Sequence, residues 1–449
     1  MPAKIQKHIL IIFLIFFYNI LCLAQETTSV KHPDWSYNLS IYEVNTRQYT
    51  PEGTFKAFDS HIKELKDLGV GIVWFMPINP IGEKNRKGSL GSYYSVKNYE
   101  EINPEFGTLD DFKETVKLIH SMGMHVIIDW VANHTAWDNV WVKEHPDFYT
   151  KDSLGNFQPP VADWHDVIDL NYDNKELWEY MINAMKYWVK ECDVDGFRCD
   201  VAGMVPLEFW KAARTELEKI KNVFLLAEAE GPQYHSAFDM TYSWELLHLM
   251  NDEAQGKKSV QAIGDYFKKE KSQYPPDAYR MRFTTNHDEN TWNGTEFERM
   301  GKAAETYDVF TCVISGMPLV YSGQEAGLNK RLKFFEKDTI LWNESKFRSL
   351  YTSLLQEKEK NPALWNGEKG GEMIPIKSSD ERVFAFVREK DSSKVFAVFN
   401  LSNKKVRTQL ESNLIKGEYT NLFTGDKMKI KSKELLKLLP WEYRVFVTN

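Results

Sequence analysis

The sequence predicts an α/β fold: a closed (β/α)8 TIM barrel, a small loop subdomain inserted after strand 3, and a C-terminal antiparallel β-domain. Three observations lead there. Eight short apolar runs alternate with longer segments of helical periodicity, the pattern of repeated βα units on a parallel sheet. Eight units over roughly 330 residues suit a closed barrel better than an open sheet. No glycine-rich dinucleotide or phosphate loop follows any strand, which counts against the open alternative.

From the N-terminus, Lys4 and Lys7 precede an apolar run at residues 9–24. That run is shorter than the roughly 20 residues of a spanning helix. Cys22-Leu23-Ala24 offers a cleavage site before Gln25. Residues 1–24 therefore read as a signal peptide of an exported protein, periplasmic or extracellular, with no transmembrane segment left after removal. Residues 25–133 and 166–363 are assigned to the barrel, 134–165 to the inserted subdomain, and 364–449 to a C-terminal β-sandwich domain.

Expected barrel strands lie at residues 39–44, 71–76, 125–129, 194–200, 223–228, 238–242, 280–286 and 319–322. Helical segments fall at 108–122, 176–191 and 206–220; the first opens with Thr-Leu-Asp-Asp, a cap followed by first-turn acids. Residues 134–165 are rich in Trp, Pro and Asp without helical period, and a loop this long inside a domain is usually functional. Residues 383–388, 394–400 and 442–448 alternate as strands do.

Bulk composition excludes some classes. A net charge of −8, from 64 acidic and 56 basic residues, leaves no basic excess for phosphates, so no nucleic-acid partner is expected. Cys192, Cys199 and Cys312 remain after signal removal; an odd number argues against a disulfide framework and for buried small side chains.

The chemistry is concentrated at strand ends. Barrel active sites lie at the C-terminal ends of the strands. There the sequence places Asp129 and Asn133-His134, then Arg198 and Asp200, then Glu228, then His287-Asp288. Singly, an aspartate after a strand is usually a helix cap and a lone histidine a satisfied loop residue. Four such strand ends together point to a site. Arg198 and Asp200, two apart on one strand, share a face, and a guanidinium beside it should keep Asp200 ionised. Glu228 follows Leu225-Leu226-Ala227, an apolar setting expected to raise its pKa and keep it protonated. A carboxylate nucleophile and a carboxylic acid about 5–5.5 Å apart is what retaining glycoside hydrolysis needs.

These segments resemble the signature regions of the α-amylase superfamily, glycoside hydrolase family 13. Asp129-Trp-Val-Ala-Asn133-His134, Gly196-Phe-Arg198-Cys-Asp200, Leu226-Ala-Glu228 and Thr285-Asn-His287-Asp288 come in the family's order. Ile168-Asp169-Leu170-Asn171 is similar to an additional region, and the stretch around Tyr93-Tyr94 to the segment that supplies a stacking tyrosine. The resemblance spans roughly residues 36 to 449. It implies Asp200 as nucleophile, Glu228 as general acid/base and Asp288 as the third carboxylate. Arg198, His134 and His287 would line the subsite of the cleaved glucose, Tyr94 rather than Tyr93 would stack beneath it, and Asp129 would pair near Arg198. No cofactor is required for the chemistry; Asn133 and Asp169 match positions that ligate a structural Ca2+ in relatives. The chain departs from the family where many members carry Lys-His after the nucleophile: here the residues are Gly203-Met204. Ser95 and Asn98 likewise replace common aspartates.

The resulting expectation is a retaining α-glucan hydrolase that cleaves α-1,4 bonds of starch or maltooligosaccharides by double displacement. Alternatives are an α-glucan transglycosylase or isomerase, a cyclomaltodextrinase- or neopullulanase-like enzyme, and a non-catalytic sugar-binding protein. Intact Asp200, Glu228 and Asp288 count against the last.

Overall fold

The computed structural model describes residues 30–448; the segment read as a signal peptide lies outside them. Eight parallel strands close into a barrel in which each strand pairs with its neighbours in the chain. They are β1 Ile41–Val44, β2 Ile72–Phe75, β3 His125–Trp130, β4 Gly196–Cys199, β5 Phe224–Ala227, β6 Met240–Tyr242, β7 Tyr279–Arg282 and β8 Met317–Tyr321, with β8 closing onto β1. Each overlaps one expected run. Every residue of β1, β2, β4 and β5 is buried, as befits parallel strands walled in by helices.

Gly196 opens β4 because nothing larger fits. A Cβ there would lie 1.8 Å from the Phe224 carbonyl oxygen of β5. This close approach brings β4 and β5 together just below Asp200 and Glu228.

The helices follow their sequence signals. Thr108 caps Leu109–Ser121 in a reciprocal box with Asp111. Asn174 caps Lys175–Glu191, which buries Leu177, Met181, Met185, Trp188 and Val189 on one stripe. The third runs from Leu207 to Glu218. Among the described residues no helix is long and apolar enough to cross a membrane. Cys192, Cys199 and Cys312 are free and buried.

The excursion after β3 opens with a strand at His134–Ala136, which pairs antiparallel with Val167–Asp169. Its return arm therefore runs to Asp169, past the expected boundary at 165, because Val167 and Ile168 are buried against the partner strand. At the C-terminus, a six-stranded antiparallel sheet faces a two-stranded one, Val406–Glu411 with Lys433–Leu438. The strand Val383–Lys390 is buried on both faces: Val383, Ala385 and Val387 pack inside this domain, whereas Phe384 packs edge-on to Phe310 on a barrel helix, 5.6 Å between centroids.

Candidate active site

Strand register assembles the site. Asp129 of β3 is the direct partner of Arg198 on β4, and Cys199 is the partner of Ala227 on β5. Asp200 and Glu228 each follow by one residue and so stand side by side. Neighbouring strands lie about 4.7–4.9 Å apart, which matches the separation of roughly 5–5.5 Å in retaining carboxylate pairs.

Arg198 is fully buried and organises three carboxylates. Its Nη1 donates to Asp129 Oδ1 at 2.9 Å and to Asp200 Oδ1 at 3.0 Å. Its Nη2 lies 2.8 Å from Glu228 Oε2, an ion pair by distance that lacks hydrogen-bond alignment. Its Nε donates to the Tyr242 hydroxyl at 3.2 Å. Trp74, Tyr94 and Tyr242 rings surround the guanidinium at 5.2–5.8 Å, and the Trp74 indole donates to Asp129 Oδ2 at 3.3 Å.

The protonation pattern corrects the sequence expectation. Burial pushes Asp200 well above the usual carboxylate range, with the Glu228 charge adding to it and Arg198 opposing. Asp200 is therefore not kept ionised simply by its arginine, whose charge is divided among three carboxylates. Nor is Glu228 in an apolar pocket: its Oε2 accepts the Val201 N–H at 2.7 Å beside Arg198. One guanidinium divided among Asp129, Asp200 and Glu228 does not offset the burial of Asp200. Asp129, wholly buried, is pushed up to about 6 by burial in spite of Arg198. Val201, immediately after Asp200, sits in the left-handed region at φ +34°, rare for a β-branched residue; this sharp turn is what aims its N–H at Glu228.

Opposite this pair stands Asp288, with its side chain 34% exposed to the cleft. His287 Nε2 lies 3.1 Å from Asp288 Oδ2, and its Nδ1 is bonded to the buried carboxylate of Glu43 on β1. Burial opposes charge on the imidazole, but Asp288 and Glu43 outweigh it and raise its pKa well above the ordinary value. For Asp288, burial is in turn outweighed by His287, and its pKa is lowered. Tyr94 completes the floor: its hydroxyl donates to Asp129 Oδ2 at 3.1 Å and meets His287 Nε2 at 2.7 Å. Tyr93 instead donates to Asn45 at 3.0 Å beneath Arg47, which leaves Tyr94 as the tyrosine facing the site. His134 lies against the Tyr94 backbone and packs edge-on to Trp164 at 5.5 Å; burial lowers its pKa to about 4, so it is neutral.

Asn133 and Asp169 do not make a metal site by themselves. The Asn133 amide turns to the His134 ring at 3.3 Å, and the half-buried Asp169 carboxyl is raised by burial and bonded to Thr150. Among the described residues no group of three or more His, Cys, Asp or Glu could hold a metal ion, whereas Ca2+ takes 6–8 oxygens. Backbone carbonyls can complete such a set, and calcium enters no step below.

Glu43, Trp74 and Tyr242 escape the sequence reading. For Glu43 a signal existed: a carboxylate inside the apolar run Ile41-Tyr-Glu-Val, comparable to Asp129 and Arg198 in theirs. Trp74 and Tyr242 read only as core aromatics.

Paired carboxylates on adjacent strands, with a third carboxylate across the cleft of a (β/α)8 barrel, define a glycoside hydrolase. The model of the α-amylase catalytic domain matches residues 37–165 and 161–415: the chain belongs to the α-amylase family, glycoside hydrolase family 13. Its structure resembles that of a noncanonic maltogenic α-amylase AmyB from Thermotoga neapolitana, with TM-score 0.84, 35% identity, and 91% of this chain and 98% of that one covered. An α-amylase from Lactobacillus plantarum follows at TM-score 0.83 and 32% identity, covering 92% and 99%. In sequence it is 26% identical to Alpha-amylase 2 of Dictyoglomus thermophilum, over 88% of this chain and 74% of the relative. More distant relatives carry the names cyclomaltodextrinase and α-1,4-glucan:maltose-1-phosphate maltosyltransferase.

Proposed function

We propose that this enzyme is a retaining α-glucan hydrolase that cleaves α-1,4-glucosidic bonds of starch or maltooligosaccharides. The observation that carries the reading is the register of β4 and β5, which sets Asp200 and Glu228 side by side against one guanidinium. In the first displacement the Asp200 carboxylate attacks the anomeric carbon while Glu228, as general acid, passes a proton to the departing glycosidic oxygen. Glu228 then takes a proton from water, which attacks the glucosyl-Asp200 ester and releases the sugar with its configuration retained. Asp288, kept ionised by His287, accepts hydrogen bonds from ring hydroxyls; Tyr94 stacks beneath the ring. The apolar run at residues 9–24 supports placing the enzyme outside the cytoplasm.

The test is chromatography of products from soluble starch, maltoheptaose, pullulan and cyclodextrin, with and without a chelator, paired with proton NMR of the first anomer released. Maltooligosaccharides that appear first as the α-anomer are expected. First release of the β-anomer would overturn double displacement, and no product from any of the four would overturn the α-glucan reading.

One observation favours transfer as a second outcome. The residues Val201–Met204 that follow the nucleophile carry no charge: Met204 is exposed, and a Cβ at Gly203 would sit 3.2 Å from the Tyr234 hydroxyl. An aromatic and a thioether offer a sugar acceptor a surface that excludes water. Longer or rearranged sugars at high substrate concentration would mark that activity.

A further inference from the structure

Trp292 is the only exposed tryptophan among the described residues, with 52% of its surface open. Nothing in core packing requires it there. It stands four residues after Asp288, on one turn of π-helix at Glu289–Asn293, a geometry that is rare and frequent at functional sites. The turn is fastened rather than loose. The Asn290 side chain donates to the Lys330 carbonyl at 3.1 Å and accepts the Leu332 N–H at 2.8 Å. Thr291 donates to the Leu332 carbonyl at 3.1 Å. An exposed indole is thus held on a rigid mount, with its ordering cost met by the fold before any ligand arrives.

Its neighbours form a row. The half-buried rings of Phe334 and Phe335 lie 5.2 and 5.8 Å from the indole. Phe334 is nearly parallel to Tyr94, at 6.2 Å and 12°. The row Tyr94–Phe334–Trp292 therefore runs from the floor of the site out to solvent. It is contributed by the loops after β2, β8 and β7. With β1 between β8 and β2 in the barrel, these loops make one continuous rim. Glu228 and the Val201–Met204 turn belong to β5 and β4 and make the opposite rim. The leaving group must depart beside the acid, so the aromatic rim faces the part of the glucan on the non-reducing side of the cleaved bond.

We propose that Trp292, with Phe334 and Phe335, forms a stacking subsite for the apolar face of a glucopyranose unit on the non-reducing side of the glucose held over Tyr94. Trp292 then sets how strongly the enzyme prefers longer chains. The inference rests on the α-glucan reading above. The side chain acts by area and geometry: a large rigid aromatic presents its face without losing much rotamer freedom.

The experiment uses the full chain silenced by Glu228→Gln and titrates maltose, maltotriose, maltopentaose and maltoheptaose by calorimetry. In that background Trp292→Ala is expected to weaken maltoheptaose binding about tenfold in Kd. The fold-loss should shrink as the ligand shortens, and Trp292→Phe should recover most of it. Phenylalanine keeps a stacking face but lacks the indole N–H, which separates stacking from any contact with Asp288. An unchanged Kd for maltoheptaose, or an equal loss at every chain length, overturns the proposal. Phe335→Ala gives an independent arm that must show the same length dependence. Hydrolysis by the otherwise unaltered enzyme is followed in parallel: binding through Trp292 with no hydrolysis would sink the hydrolase reading alone, and hydrolysis without length-dependent loss would sink the subsite alone.

Discussion

Arg198 Nη2 lies 2.8 Å from Glu228 Oε2, while Nη1 of the same group donates to both Asp200 and Asp129. One planar guanidinium thus spans Asp200, Glu228 and the buried Asp129. A lysine is a point charge and cannot reproduce that fork. Arg198→Lys should lower kcat on maltoheptaose by at least about 100-fold, the scale on which one preorganised electrostatic partner acts. Steady-state kinetics with a near-UV spectrum as a folding control would check it; kcat within a few-fold of the parent would show that the fork is dispensable.

The proposed mechanism gives Asp200 and Glu228 different work, and leaving-group chemistry separates them. A general acid contributes typically 10²–10⁴-fold, and contributes less when the leaving group departs unaided. Glu228→Gln should therefore lose roughly that factor on maltoheptaose and much less on an activated maltosyl fluoride. Asp200→Asn should lose activity on both, since it removes the attacking atom. Equal sensitivity of the two variants to the leaving group would refute the assignment.

Much of this was legible in the chain because charge inside an apolar strand is costly and hence visible. Asp129, Arg198, Asp200 and Glu228 each end such a run, and the structure gathers the three carboxylates at the Arg198 guanidinium. The eight strands were legible for the same reason, as runs buried on both faces. What could not be read is what only register and tertiary contact decide. Nothing in Leu225-Leu226-Ala227-Glu228 says that Arg198 will reach across from β4 or that the Val201 N–H will turn to Glu228. Trp292 is one of many tryptophans until its π-turn is seen beside Asp288.

The Glu43–His287 bond makes a pH prediction. The His287 pKa is raised in the folded protein, so its charged form contributes stability fully present below the ordinary value of about 6.5 and lost as pH rises through the folded value. Glu43→Gln removes one of the two anions that hold that proton, so the ring should deprotonate at lower pH and Asp288 should lose its cation sooner. The alkaline limb of kcat/KM on maltoheptaose should move down by about one pH unit, the lower range for loss of a close opposite charge. A variant whose alkaline limb coincides with that of the parent would show that Glu43 does not govern His287.

Behind the β7 loop lies a second pair of carboxyls that takes no part in the chemistry. Thr284 Oγ lies 2.9 Å from Glu296 Oε2 and 2.7 Å from Asp308 Oδ1, and Gln324 donates to Glu296 at 2.6 Å. Burial raises both carboxyls; at Asp308 the Glu296 charge adds to it. Here the sign is the reverse of a salt-bridged carboxylate. The folded state holds a proton that the unfolded chain releases near pH 4. Stability is therefore unaffected by the pair below that pH, and falls as pH rises from there toward the folded pKa. The slope is at most about 1.4 kcal/mol per pH unit for one proton. Asp308→Asn keeps the shape and hydrogen bonds of a protonated carboxyl while removing one titrating group. Between pH 5 and 8, urea unfolding, taken at roughly unit intervals, should show the parent losing stability more steeply than the variant, with the two converging at the acid end. Parallel slopes would mean that Glu296 and Asp308 do not hold the proton, and that the loop bearing His287 and Asp288 is propped by the Thr284 and Gln324 hydrogen bonds alone.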